Sequence, residues 1–216
     1  MSQAYASRTP ASEEAMGIVE VMDRLGTPMR FARNAEVYAQ DDEAEFLYRV
    51  VSGTVRTVRF ASDGRRLLGD FYYAGDLFGL EAGPRHRFSA EVLTDGVVQV
   101  LKRTAVRAFA GEAAMQAAIL AETHKELGRT QSHLMLLSCR SARERVAAFL
   151  LNQADRCPHP AVELPMGRQD MADYLGLTIE TVSRTLTQLQ DAAIVEFAAA
   201  RRFSVKQRDA LERLAE

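Results

Sequence analysis

The segment Gly167–Gln190, GRQDMADYLGLTIETVSRTLTQLQ, restricts the possible folds of this chain more than any other stretch. Met171, Ala172, Tyr174 and Leu175 set apolar side chains at helical spacing. Gly176 follows where that helix must end, because a residue without Cβ enters the left-handed region at no steric cost. Thr178 then has the chemistry of an N-cap, with a hydroxyl that accepts from an amide two or three residues on. Val182, Leu186 and Leu189, at spacings of four and three, make one buried stripe on a second helix, so Ile179, Glu180, Ser183, Arg184 and Thr187 must face elsewhere. Two short helices joined this way form a helix-turn-helix, in which the N-terminal residues of the second helix meet base edges in the major groove.

The outward face of the second helix carries groups suited to bases. Glu180 and Arg184 are neighbours one turn apart; a carboxylate accepts from cytosine N4 and a guanidinium grips guanine O6 and N7, so a G·C pair is their natural target. Ser183 can bond a base edge or a phosphate, and Thr178 and Thr181 can reach phosphate oxygens near the helix N-terminus. The competing reading is an exposed salt bridge between Glu180 and Arg184, worth a few tenths of a kcal/mol. Their place behind a capped glycine turn favours contact with DNA.

The run RQDMADYLGLTIETVSRTLTQLQ resembles the recognition module of the CRP/FNR superfamily of bacterial transcription regulators, most closely its FixK-like branch. The resemblance implies that Glu180, Ser183 and Arg184, which fall on an E-x-x-S-R signature, read half-sites of TTGA type. It also implies that Arg168 and Gln169, at the start of the first helix, meet phosphates. A second segment, AGDLFGLEAG at residues 74–83, resembles the hallmark of the superfamily's effector domain, a cyclic-nucleotide-binding-type barrel. Nucleotide-binding relatives use a glutamate for the ribose and an Arg followed directly by Ser or Thr for the phosphate. Here Glu81 is followed by GPRHRFSAEV, in which Phe88 separates Arg87 from Ser89. No cyclic nucleotide is therefore expected, and Arg85 and Arg87 are expected at a solvated loop tip.

Between Pro28 and Arg103 the runs PMRF, AEVYA, EFLYRVVSG, TVRTVRF, RRLLGDFYYAG, FSAEVLTDG and VVQVLKR are β-branched and aromatic, separated by Gly, Asp and Asn. Evenly spaced short strands predict an all-β barrel or jelly roll, with hairpin turns at Gly53 and at Asp63-Gly64. Ahead of it, the residues to about Pro10 are expected to be loose. A helix is expected from Ser12, with Glu13 and Glu14 behind it, to about Leu25. From Gly111 to Ser138, Leu120, Leu127 and Leu134 recur every seven residues, with Thr123, Thr130 and Leu137 three behind each. Two copies of such a stripe bury each other in a parallel coiled coil, the alternative being packing against the chain's own barrel. A helix from Ser141 to about Arg156 follows a hinge at Ser138–Ser141, with Arg143, Glu144 and Arg145 outward. CPHPAVELP leads through a short strand to Gly167. AAIVEF and RRFSV make a wing on which Arg201 and Arg202 can touch phosphate, and KQRDALERLAE closes as a short helix with Leu211 and Leu214 inward.

Charge bears on the DNA reading. The formal net charge is −2, and from Cys139 onward eleven basic residues meet eleven acidic ones, so affinity must come from local placement of Arg168, Arg184, Arg201, Arg202 and Lys206 and from dimerisation. The two cysteines, Cys139 and Cys157, supply neither a disulfide framework nor the ligands of a zinc or iron-sulfur site, and Cys157 reads as an inert thiol. His86 is the one histidine of the barrel and is expected at its surface, so no haem or metal is expected either. No run is long and apolar enough to span a membrane and no secretion signal opens the chain, so a cytoplasmic protein without a membrane partner is expected. No catalytic constellation holds in context, and an enzyme is not expected.

The expected molecule is therefore α+β: an effector-type β-barrel (jelly roll) domain with an N-terminal helix over 1–110, a dimerisation helix over 111–138 and a winged helix-turn-helix domain over 139–216. The expected function is that of a homodimeric transcription regulator, more an activator than a repressor, with no cofactor. By resemblance its site is TTGA-N6-TCAA. Its expected partners are double-stranded DNA, a second copy of itself and RNA polymerase. The alternative is a regulator whose barrel binds a small molecule that gates the dimer.

Overall fold

The computed structural model describes residues 18–81, 83–110, 112–139 and 141–215. The expected loose opening and the helix start at Ser12–Glu14 lie outside these residues. The N-terminal half is built on two long antiparallel strands, β3 (Phe46–Phe60) and β6 (Ser89–Lys102), paired from Phe46↔Lys102 to Val58↔Ser89. Shorter strands flank them. β1 (Thr27–Phe31) and β2 (Glu36–Tyr38) pair with opposite halves of β6, while β4 (Arg66–Tyr72) and β5 (Leu77–Phe78) pair with opposite halves of β3.

The sheet is not the closed barrel, or jelly roll, that the strand spacing predicts. The hydrogen-bonded path runs β1-β6-β3-β4 and stops, with β1 and β4 as ends that do not pair with each other, so the six-stranded sheet is open. Each end is managed in its own way. α5 (Arg168–Leu175) packs against β4, and Pro28 removes an edge donor from exposed β1. Gly53 also departs from its predicted role. It is no hairpin turn but a bulge inside continuous β3, where the register with β6 shifts between Val50 and Val55. Its φ is +85°, and a Cβ on facing Gly96 would sit 2.3 Å from the Ser52 carbonyl oxygen, so the backbones cross too closely for side chains. The run that reads as two short strands is one bent strand. Asp63-Gly64 does lie in the β3–β4 connection, within a loop closed by Ala61 N donating to Arg65 O at 2.9 Å.

Tyr38, Tyr48, Val50, Val55, Tyr72, Phe78, Val92 and Val98 fill the sheet's interior. α1 (Ile18–Leu25) and α2 (Arg103–Ala110) close one end, Ile18, Val21 and Met22 meeting Leu47, Leu101 and Val106. The 28-residue helix α3 (Glu112–Cys139) then carries the chain along the sheet.

The C-terminal half packs α4 (Ala142–Arg156), α5, α6 (Ile179–Asp191) and α7 (Arg208–Ala215) around Val146, Leu150, Met171, Leu175, Val182, Leu186, Leu189 and Leu211, with a three-stranded sheet of order β7-β9-β8. These strands are β7 (Ala161–Glu163), β8 (Val195–Ala199) and β9 (Arg202–Val205). The same core takes in Val58, Leu68, Phe71 and Leu93 from the large sheet, so the two halves share one apolar contact. Among the described residues, no helix is long and apolar enough to cross a membrane.

Candidate nucleic-acid interface

α5 begins at Gly167, whose amide donates to Asp170 Oδ2 at 3.4 Å, and ends at Gly176 with φ 61° and ψ 39°. The left-handed turn is held from outside. Arg145 of α4 donates to the Leu175 carbonyl at 3.0 Å and to the Leu137 carbonyl at 2.6 Å, so one guanidinium satisfies the open C-terminal ends of α3 and α5 together. Arg145 therefore does not share the outward face predicted for it with Arg143 and Glu144. Its partners lie 30 and 8 residues away, and Glu144 is itself engaged, closing a capping box with Ser141. The hinge expected at 138–141 includes Arg140, which lies outside the described residues.

α6 is capped by Thr178, whose Oγ1 accepts from Thr181 N at 3.2 Å and lies 3.1 Å from Thr181 Oγ1. Val182, Leu186 and Leu189 are buried, joined by Thr185. Glu180, Arg184 and Thr187 face solvent and Ser183 is half-buried. Among the described residues no ion pair joins Glu180 to Arg184, so the simple surface salt bridge is not formed. Its own amide and the Thr178 hydroxyl hold the Glu180 carboxyl below the usual carboxylate value, keeping it ionised and an acceptor.

Arg168 donates to Ser183 Oγ at 3.2 Å, which brings the start of α5 onto the face of α6 that also bears Glu180 and Arg184. Gln169 beside it donates to Asp173 at 2.7 Å. On the wing, Arg202 is exposed, whereas Arg201 is half-buried and folds back, Nη1 lying 3.4 Å from the Pro165 carbonyl and Nη2 3.4 Å from where a Gly167 Cβ would be. Lys206 is engaged with Glu196 at 2.6 Å.

A second feature lies on α3. Leu120, Leu127 and Leu134 are 56%, 51% and 61% exposed, and Thr123 and Thr130 are exposed with them. The opposite side of the helix packs on its own chain: Ile119 against α1 and α2, Glu126 on the Tyr72 hydroxyl at 3.3 Å, Arg129 between Asp70 and Asp76, and His133 stacked on Tyr174 at 4.0 Å. The leucine stripe is thus not the face that the sheet covers. Leu137 is half-buried and turned toward Gly176.

His86 departs from its expected place at the surface. It is 1% exposed, pinned between Tyr38 and Glu81, while Arg85 and Arg87 on either side are exposed. Burial alone would raise the Glu81 carboxyl, but nearby His86 and Arg103 outweigh it and bring it below the usual value. Among the described residues no group of three or more His, Cys, Asp or Glu side chains could hold a metal ion.

Comparison with known proteins bears on both halves. Residues 28–112 match the family model of the cyclic nucleotide-binding domain, and residues 144–214 that of the Crp-like helix-turn-helix domain. The chain is 43% identical to the nitrogen fixation regulation protein FixK of Azorhizobium caulinodans over 99% of this chain and 93% of that protein. It is 35% identical to the transcriptional activatory protein AadR of Rhodopseudomonas palustris over 82% and 76% of the two chains. The structure of FixK2 from Bradyrhizobium japonicum superposes with a TM-score of 0.84 at 41% identity, covering 89% of this chain and 98% of that one. The chain belongs to the CRP/FNR superfamily of transcription regulators, on its FixK-like branch.

Proposed function

We propose that the chain works as a homodimer that reads a TTGA-N6-TCAA-type palindrome and activates transcription there in contact with RNA polymerase. In this reading residues 1–110 form the effector-type unit, 111–138 the dimerisation helix and 139–216 the reading unit. Glu180, Ser183 and Arg184 contact bases, and Arg168, Gln169, Thr178, Thr181, Arg201 and Arg202 contact phosphates. The observation that carries it is the outward, mutually unpaired pose of Glu180 and Arg184 on the capped N-terminal half of α6. Leu120, Thr123, Leu127, Thr130 and Leu134 form the seam, with Leu137 at its inner end, and pairing two copies sets two α6 helices about 34 Å apart in successive major grooves. The name of the AadR relative, a transcriptional activatory protein, favours an activator.

Neither a cyclic nucleotide nor an iron-sulfur cluster is part of this reading. One oxygen of Glu81 lies 3.1 Å from His86 Nδ1, Phe88 separates Arg87 from Ser89, and two cysteines are too few for a four-thiolate cluster. A second reading, a small-molecule-gated regulator, is favoured by one observation. A cavity of about 450 Å³ between the sheet and α3 is lined by Tyr38, Thr57, Glu81, Arg87, Glu126 and Arg129, a size that suits a small ligand.

Selection of bound duplexes from a random DNA pool tests the main reading. Enrichment of paired TTGA half-sites with six intervening pairs is expected, and enrichment of unpaired or unrelated sequences would sink it.

A further inference from the structure

The contact between the large sheet and the reading unit is flanked by charge. Arg66 of β4 donates through Nε to Asp173 Oδ2 at 2.8 Å and through Nη2 to Asp170 Oδ1 at 2.6 Å. Arg56 of β3 reaches the same Asp170 oxygen at 2.6 Å and holds Glu91, its cross-strand partner, at 2.6 Å through Nη2. Burial works against the Arg66 charge, yet its bonds to Asp173 and Asp170 prevail and raise its pKa. Both aspartates belong to α5, and each also serves the end of that helix that faces the nucleic-acid side. Asp170 accepts from the Gly167 amide, and Asp173 accepts from Gln169 Nε2 at 2.7 Å.

A DNA phosphate seated on Gln169 would therefore approach a carboxylate only one side chain away. Like charges at that range repel by enough to weaken binding severalfold unless a cation stands between or behind them. The reading unit has no net charge of its own to spare, with eleven basic and eleven acidic residues from Cys139 onward. The compensating cations come from the other half of the chain.

We propose that Arg56 and Arg66 of the large sheet are positioning residues for DNA recognition, neutralising Asp170 and Asp173 so that the N-terminal end of α5 can receive a phosphate. The inference rests on the phosphate role assigned to Gln169 above. It makes the affinity of the reading unit depend on the large sheet being docked against it. A shift of the sheet that withdrew Arg66 would weaken DNA binding without any change in α6.

The test is fluorescence anisotropy on the full-length protein with a TTGA-N6-TCAA duplex and a scrambled duplex, comparing wild type, Arg66→Gln, Asp173→Asn and the double variant, each checked by thermal melting. Arg66→Gln is expected to bind the operator about tenfold more weakly. Asp173→Asn alone should bind at least as well as wild type, and the double variant should return to within about threefold of it, because removing the carboxylate removes the need for the cation. A double variant as weak as Arg66→Gln would mean that the arginine acts only by bracing the fold and would overturn the proposal, as would an Arg66→Gln protein with undiminished affinity. Should Arg66→Gln not fold, Arg66→Lys decides: it keeps the charge and loses the two-pronged geometry, so it should stay within about threefold of wild type, and a tenfold loss contradicts the charge role. Wild-type protein that failed to prefer the operator over the scrambled duplex would instead sink the DNA-reading assignment, and this inference with it.

Discussion

The His86 ring lies flat on Tyr38, with centroids 3.6 Å apart and planes 12° from parallel, and its Nδ1 is 3.1 Å from Glu81 Oε1. A side chain just beyond the hallmark segment is thereby buried against that segment's glutamate. His86→Ala is expected to lower unfolding free energy by about 2 to 4 kcal/mol in urea, because it empties a buried site and strips Glu81 of a partner. A midpoint unchanged from wild type would show that the ring contributes no net packing.

The exposed stripe on α3 makes a prediction about association. Leu127→Glu puts a charge in the middle of the proposed seam, where burying each leucine contributes about 2 kcal/mol. Sedimentation should find the variant monomeric at micromolar concentrations where wild type is dimeric. A variant that still formed dimers would move the interface elsewhere on the molecule.

Asp70, on β4 and facing Arg129 of α3, has a titration signature. Burial raises its carboxyl above the ordinary 3.8, with the Phe71 amide and Arg129 pulling the other way. An acid whose folded pKa exceeds its unfolded one binds its proton more tightly when folded, so its burden on stability is present at neutral pH and fades as pH falls through the folded value. Asp70→Asn is therefore expected to raise the urea midpoint at pH 7, with the advantage shrinking toward pH 4. A lower midpoint at pH 7 would contradict this.

Features carried by neighbouring residues were legible in the sequence; those that depend on distant partners were not. Gly176 and Thr178 announce the turn because both act on backbone atoms within a few residues of themselves. The leucine period on α3 is likewise written in adjacent heptads. Gly53 misled because a hairpin turn and a bulge both use a glycine with positive φ, and only Gly96, on another strand, distinguishes them. That one substitution of bulge for turn is part of why short strands, and hence a closed barrel, were expected in place of two long bent ones. The burial of His86 depends on Tyr38, far back in the chain, and the inward turn of Arg145 on acceptors at the ends of two other helices, so neither shows in the local sequence. The Arg66 pairs with Asp170 and Asp173 span 104 and 107 residues, beyond any local pattern.

Base reading by the outward face of α6 stands or falls with Arg184→Ala, its affinity measured side by side on the TTGA-N6-TCAA duplex and on scrambled DNA. A loss of about 1 to 3 kcal/mol per half-site is expected on the operator, with relaxed preference at the guanine and a much smaller loss on the scrambled duplex. An equal loss on both would reduce Arg184 to a phosphate contact and rule out base reading by this face.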